Sequence, residues 1–134
     1  MPSIIDVEGI GPSYKKKLKG VGISTTDALL EAGATPKGRK ELAAKTGIGD
    51  ALILEWVNLS DLYRIKGVGS EYSDLLEEAG VDTVVELSKR VAKNLFEKMV
   101  EINTKKKLVR KLPTEAQVAD WVDQAKKLPR KVTY

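Results

Sequence analysis

Displaced by 58 residues, the chain falls on itself. Gly9 meets Gly67, Gly11 meets Gly69, Tyr14 meets Tyr72, Leu18 meets Leu76, Gly22 meets Gly80, Thr25 meets Thr83 and Leu29 meets Leu87. Conservative pairs fill the gaps: Val7 with Ile65, Ile10 with Val68, Ile23 with Val81. Further on, Leu54-Glu55-Trp56-Val57 resembles Ala119-Asp120-Trp121-Val122 at a displacement of 65, so the second copy has gained seven residues. The lysine-rich stretch Thr104–Leu112 is the natural place for them. Self-similarity at a fixed offset means that one supersecondary unit has been used twice. It predicts two units, residues 1–60 and 61–134, in one compact or bilobed chain.

The units read as helical. Alternation of apolar and polar residues with period two is nowhere sustained, which argues against strands. Lys15–Gly20 and Asp74–Gly80 read as short helices that stop at glycine. Thr25 and Thr83 are placed to cap the helices that follow. Longer helices are expected at 50–60, 89–102 and 114–127. The last has Pro113 before it, Thr114 as its cap, and Ala116, Val118, Ala119, Val122 and Ala125 near one face.

Composition removes several kinds of chemistry. The chain has neither cysteine nor histidine. Disulfides, thiol nucleophiles, imidazole bases and the usual zinc sites are therefore excluded, and a reducing, cytoplasmic setting is expected. No apolar run approaches the length of a membrane span and no secretory pattern opens the sequence. No phosphate-binding Gly-x-x-x-x-Gly-Lys-Ser/Thr loop is present. Acidic pairs such as Glu77–Glu78 and Glu97–Glu101 lack a partner nucleophile and read as solvated faces. These features point away from an enzyme, and no cofactor, metal or small-molecule substrate is implied. The net charge of +4 is uneven: residues 105–134 hold nine Lys/Arg against three Asp/Glu, while residues 1–104 hold fourteen against sixteen. A second basic cluster is Lys15-Lys16-Lys17 with Lys19. Such clusters suit a polyanion, and they also occur as solvated helix faces.

Three sites read Gly-apolar-Gly: Gly9-Ile10-Gly11, Gly47-Ile48-Gly49 and Gly67-Val68-Gly69. The glycines let the backbone turn sharply with positive φ, and the residue between them plugs the core. The helix that follows opens with unpaired N–H groups and the positive end of its dipole, a ready site for a phosphate oxygen. Val7-Glu8-Gly9-Ile10-Gly11-Pro12-Ser13-Tyr14-Lys15-Lys16-Lys17-Leu18 and Ile65-Lys66-Gly67-Val68-Gly69-Ser70-Glu71-Tyr72-Ser73-Asp74-Leu75-Leu76 resemble the helix-hairpin-helix motif. Thr46-Gly47-Ile48-Gly49-Asp50 with Leu52 and Leu54 is a shorter match, and the fourth site, near Leu112-Pro113-Thr114, has lost both glycines. The whole arrangement, with a Trp-Val in the last helix of each pair, resembles a bacterial domain-of-unknown-function family of tandem helix-hairpin-helix units. More distantly it is similar to the helix-hairpin-helix domains of DNA repair proteins, polymerases and ligases, and to the C-terminal domain of the RNA polymerase α subunit.

The resemblance implies an all-α fold of duplicated tandem helix-hairpin-helix units of the five-helix, SAM-like type. It also implies contact with a DNA or RNA phosphate backbone that does not depend on base sequence. The residues it points to are Gly9, Ile10, Gly11, Ser13, Lys15, Lys16 and Lys17 at the first turn, and Lys66, Gly67 and Gly69 at the third. Lys105, Lys106, Lys107, Arg110 and Lys111 form a phosphate-contacting arm in this reading, helping the first turn. The setting of the third turn departs from the pattern, because Glu71, Asp74, Glu77 and Glu78 would repel phosphate. Asp50 at the second turn would occupy the helix terminus itself. A protein-docking scaffold is the competing reading, favoured by that acidic turn. Trp56 and Trp121 suit base stacking or core anchoring, and their large area favours the core. The tail beyond Lys126, with Pro129, reads as frayed.

Overall fold

The computed structural model describes residues 3–134. Met1 and Pro2, the first two positions of the expected first unit, lie outside the described residues. A 3₁₀ turn, Ile4–Asp6, precedes eight α-helices: α1 Pro12–Lys19, α2 Thr26–Gly33, α3 Pro36–Thr46, α4 Asp50–Leu62, α5 Ser70–Glu78, α6 Val84–Ser88, α7 Ala92–Lys106 and α8 Glu115–Lys127. The only bridge between extended residues among those described is Ser3 with Thr25. The fold is all-α. No helix among the described residues is long and apolar enough to cross a membrane.

The starts of the helices follow from single side chains. Thr25 accepts from the Ala28 N–H at 3.1 Å, Thr83 from Glu86 at 3.2 Å and Thr35 from Gly38 at 3.1 Å. Each bond satisfies an N–H that the first helical turn leaves open. Thr114 and Gln117 form a reciprocal capping box at α8. Helix α7 begins at Ala92 and continues to Lys106, so it starts later and runs longer than the periodicity of 89–102 suggests. It stops where Lys107 takes positive φ.

Equivalent residues of the two segments make equivalent bonds. The Ile23 N–H donates to Leu18 O at 3.0 Å, and Val81 to Leu76 at 2.9 Å. Both close the turn after a short helix, at Gly22 and Gly80, whose φ values are 85° and 92°. Only glycine adopts such φ without a steric penalty.

Buried apolar side chains form two clusters. One joins Ile4 to Leu59 and includes Trp56; the other joins Leu62 to Ala125 and includes Trp121. The chain passes from one to the other inside α4, where every residue from Trp56 to Leu62 is buried. Burial of this aliphatic surface, at about 25 cal/mol per Å², is the main force holding the helices together.

The tail is not frayed. After α8 it crosses to the first cluster, where Val132 is 3% exposed. Thr133 N–H donates to Ala34 O at 2.8 Å, and the Arg39 guanidinium donates to both Gly33 O and Thr133 O. Tyr134 Oη donates to Asn58 Oδ1 at 3.1 Å, and Lys131 pairs with Glu31. The sequence reading failed here because the seat of the tail is built from residues about a hundred positions away.

Candidate nucleic-acid interface

The first glycine turn is built from its core outward. Ile10 is buried and pins the loop, while its N–H donates to Val7 O at 3.1 Å. Gly9 lies at φ 93°, and an added Cβ would come within 3.1 Å of Trp56 Nε1. Trp56 is fully buried, and its Nε1 has no hydrogen-bond partner among the described residues. Gly11 then stands as the N-cap of α1 in extended conformation, with Pro12 as the first helical residue. No side chain caps this helix. Proline lacks an N–H, so the donors open at this terminus are backbone groups such as those of Ser13 and Tyr14.

Lysines surround the turn. Lys16, Lys17 and Lys19 are exposed and Lys15 is half-buried. Among the described residues none of the four has a carboxylate within ion-pair distance. Lys17 Nζ stands 5.8 Å from the centre of the Tyr14 ring, and Tyr14 packs edge-on against Trp56 at 5.0 Å. A column of Trp56, Tyr14 and Lys17 thus fixes the first turn of α1 to the core. Ser13 is exposed beside it.

The third turn repeats this geometry in a different electrostatic setting. Gly67 lies at φ 95°, with Trp121 Nε1 again 3.1 Å from its Cβ position, and Tyr72 packs on Trp121 at 5.2 Å. Gly69 is the N-cap of α5, again without a side-chain cap. Gln124 of α8 grips the backbone of Lys66, accepting from its N–H at 2.9 Å and donating to its carbonyl at 3.1 Å. The Lys66 side chain remains exposed. Helix α5 presents Glu71, Asp74, Glu77 and Glu78. Burial raises the carboxyl of Asp74, and Glu8 and Glu78 push it the same way against the opposing pull of Lys106. Glu77 is pushed up to about 7, by burial first and then by Glu55 and Asp74. An anion approaching this turn meets a field that already disfavours negative charge.

At the second turn, Gly47 lies at φ 74° and Gly49 is the N-cap of α4. Asp50 is the first helical residue and makes no capping bond, contrary to the sequence expectation. Thr46 Oγ1 instead accepts from the Ile48 N–H at 3.2 Å and ties the turn internally.

The basic stretch is not a free arm. Lys105 and Lys106 lie in the last turn of α7, where they suit the negative end of the helix dipole. Lys106 bonds Glu78 of α5 at 2.7 Å and Lys105 pairs with Glu101. The Tyr72 hydroxyl donates to Lys111 O at 2.8 Å. Through Lys106 and Lys111 the stretch is therefore anchored to α5, beside the third turn. Lys107, Arg110 and Lys111 are exposed. Trp56 and Trp121 are buried to within 2% of their surface, too deep to stack on a base.

Compared with known proteins, residues 8–128 match the family described as Domain of unknown function (DUF4332). The chain belongs to the DUF4332 family. Neither a curated protein nor a solved structure matches the sequence. Among those described, no group of three or more His, Cys, Asp or Glu side chains could hold a metal ion.

Sequence reasoning missed Asp61 and Arg39. Asp61, 1% exposed, bonds Arg64 at 2.8 Å and accepts from the Val84 N–H at 2.8 Å, joining α4 to the start of α6. Arg39 is 7% exposed and serves the tail. An apolar-patterned helix gives no signal for a buried carboxylate whose acceptor role lies 23 residues away.

Proposed function

We propose that this DUF4332 chain is a non-catalytic, cytoplasmic protein that grips the phosphate backbone of nucleic acid, DNA first, without reading base sequence. In this reading its two segments are duplicated pairs of helix-hairpin-helix units. The matching bonds and glycine φ values at the first and third turns support the duplication. The cysteine-free composition supports the compartment.

The observation that carries the proposal is the first turn. An uncapped helix start, preceded by a glycine turn and followed by Lys15, Lys16, Lys17 and Lys19 without carboxylate partners among the described residues, offers backbone donors and cations to one anionic strand. Three phosphate contacts give a slope of about −2.7 in log affinity against log salt, or a loss of roughly 40-fold between about 50 and 200 mM. Fluorescence anisotropy with a labelled duplex, a single strand and an RNA of equal length tests this. The expected result is salt-steep binding that Lys15/Lys16/Lys17→Glu abolishes. Absence of binding at low salt sinks the proposal, and undiminished binding by the triple variant moves the site away from the first turn.

One observation favours a second reading, a protein-docking adaptor. The carboxyls of α5 crowd the third turn, and such a surface suits a cationic protein better than a phosphate. Recovery of a specific protein together with salt-independent failure to bind nucleic acid would select it.

A further inference from the structure

The internal repeat gives the chain the same cleft twice. One lies between the turn after α1 and helix α3, measures about 180 Å³ and has Val21, Ala32, Glu41 and Lys45 in its walls. The other lies between the turn after α5 and helix α7, measures about 400 Å³ and has Ala79, Arg90 and Lys98 in its walls. At the displacement of 58, Val21 meets Ala79 and Ala32 meets Arg90.

The helices explain why the second cleft is wider. Helix α2 ends with Glu31, Ala32 and Gly33, whereas α6 stops at Ser88, so the counterparts Lys89, Arg90 and Val91 form a link between helices. In the first copy Gly33 lies against Val57, and Gly38 lets α3 close on the Ala32 carbonyl. Helix α2 packs along α3, while α6 and α7 make no comparable contact. The link is left facing solvent, with Val91 62% exposed.

The charge changes with the shape. The first cleft sets Glu41 against Lys45. The charged residues of the second are all cations: Lys89, Arg90 and Lys98. Arg90 is held in place, donating to Gly80 O at 2.8 Å and pairing with Glu86 at 3.1 Å. Lys89 and Lys98 are exposed, with no carboxylate within ion-pair distance among the described residues. Ala79, Val91, Leu95 and the exposed Asn94 complete the wall.

We propose that this cleft is a second nucleic-acid contact, separate from the glycine turns, which takes one nucleotide unit of a strand. The phosphates flanking that unit lie at Lys89 and Lys98, and its sugar and base lie against Val91. Sites for small ligands run from about 300 to 1,000 Å³, a range that the second cleft reaches and the first does not. Lysine meets phosphate as a point charge and demands no single geometry. An aliphatic wall takes any base, so the contact reads no sequence. The choice of a nucleotide among organic phosphates rests on the proposed nucleic-acid function; the anionic and apolar parts of the ligand rest on the cleft.

The test titrates the ¹⁵N-labelled full chain with a short single-stranded oligothymidylate, read at the amides of Lys89–Leu95 and the side-chain amide of Asn94. Saturable shifts are expected there in the wild-type chain and also in Lys15/Lys16/Lys17→Gln, which disables the first turn. Unmoved cleft resonances in the wild-type chain overturn the proposal; the first turn is judged separately, by its own resonances. Loss of the cleft shifts in the triple variant overturns a separate contact. Lys89/Lys98→Gln is expected to raise the Kd read at Val91 roughly 10-fold at low salt and to flatten the slope of log affinity against log salt by about 1.4. Lys37/Lys40→Gln removes the same charge from α3 and is expected to change neither; equal losses in the two variants overturn the proposal. Val91→Ala is expected to weaken binding roughly 3-fold with the slope unchanged, and unchanged affinity overturns the apolar contact. Inorganic phosphate that binds at these amides as tightly as the oligothymidylate overturns the nucleotide.

Discussion

Four glycines at two turns divide into two kinds. Gly9 and Gly67 sit at φ 93° and 95°, each with a tryptophan nitrogen 3.1 Å from the place a Cβ would occupy. Alanine there meets both backbone strain and a crowded neighbour. Gly9→Ala and Gly67→Ala are each expected to cost about 1–3 kcal/mol in chemical denaturation. Gly11 and Gly69 are different: their backbone is extended and a Cβ would meet nothing within 4 Å. Alanine at either meets no steric obstacle, and its poorer N-cap preference, about 0.5–1 kcal/mol, offsets the roughly 0.4–1 kcal/mol gained by restricting the unfolded chain, so stability is expected to change little. Gly11→Ala is nonetheless expected to weaken nucleic-acid binding, since the new methyl stands at the uncapped start of α1 where a phosphate oxygen would approach. A Gly11→Ala protein with unchanged stability and unchanged affinity would remove that terminus from the interface. The two turns thus separate glycine as a conformational need from glycine as open space for a partner.

At the scale of the element, the most exposed weakness is the start of α6, a helix of five residues, Val84–Ser88. Asp61 of α4 receives the Val84 N–H while bonded to Arg64, and both side chains are largely buried. Asp61→Ala leaves the Val84 N–H without its acceptor and the Arg64 guanidinium with the Pro129 carbonyl but no counter-charge, an expected loss of about 3 kcal/mol. Asp61→Asn keeps an acceptor for Val84 and is expected to recover part of it; equal losses by equilibrium denaturation would show that the ion pair alone matters. None of this is visible in the sequence, whereas the caps are. Thr25, Thr83 and Thr114 announce their helices because a hydroxyl and the N–H it accepts lie three residues apart. Helix α3 carries the same signal in Thr35 and Pro36, yet it goes unread because of its eleven residues only Arg39 and Leu42 are buried, too few to mark a period. The first glycine turn and its lysines were equally legible, being contiguous. The anchoring of Lys106 on Glu78 and of Lys111 on Tyr72 was not, because partners 28 and 39 residues distant leave no local pattern.

Over the whole molecule, two features join the apolar clusters. Helix α4 runs through both, and the tail returns from α8 to the first. Removing residues 131–134 strips Val132 from the first cluster, breaks the Thr133–Ala34 bond and takes from the Arg39 guanidinium one of its two carbonyl partners. Loss of a buried valine costs about 1.5–3 kcal/mol and an under-satisfied buried cation adds to it. A fall of about 10 °C in midpoint is expected for a chain of this size. The damage begins in the first cluster, so the question is whether it stays there. Trp56 belongs to the first cluster and Trp121 to the second, so each reports on one when the other is replaced by phenylalanine. The continuous burial of α4 from Trp56 to Leu62 argues that neither cluster survives alone, since unwinding those residues uncovers both. Truncation is therefore expected to lower the Trp56 and Trp121 fluorescence midpoints equally, each measured against its own full-length single-tryptophan parent, which is the behaviour of one cooperative unit. A lower Trp56 midpoint with Trp121 unmoved would mean that the tail, and not α4, couples the two segments.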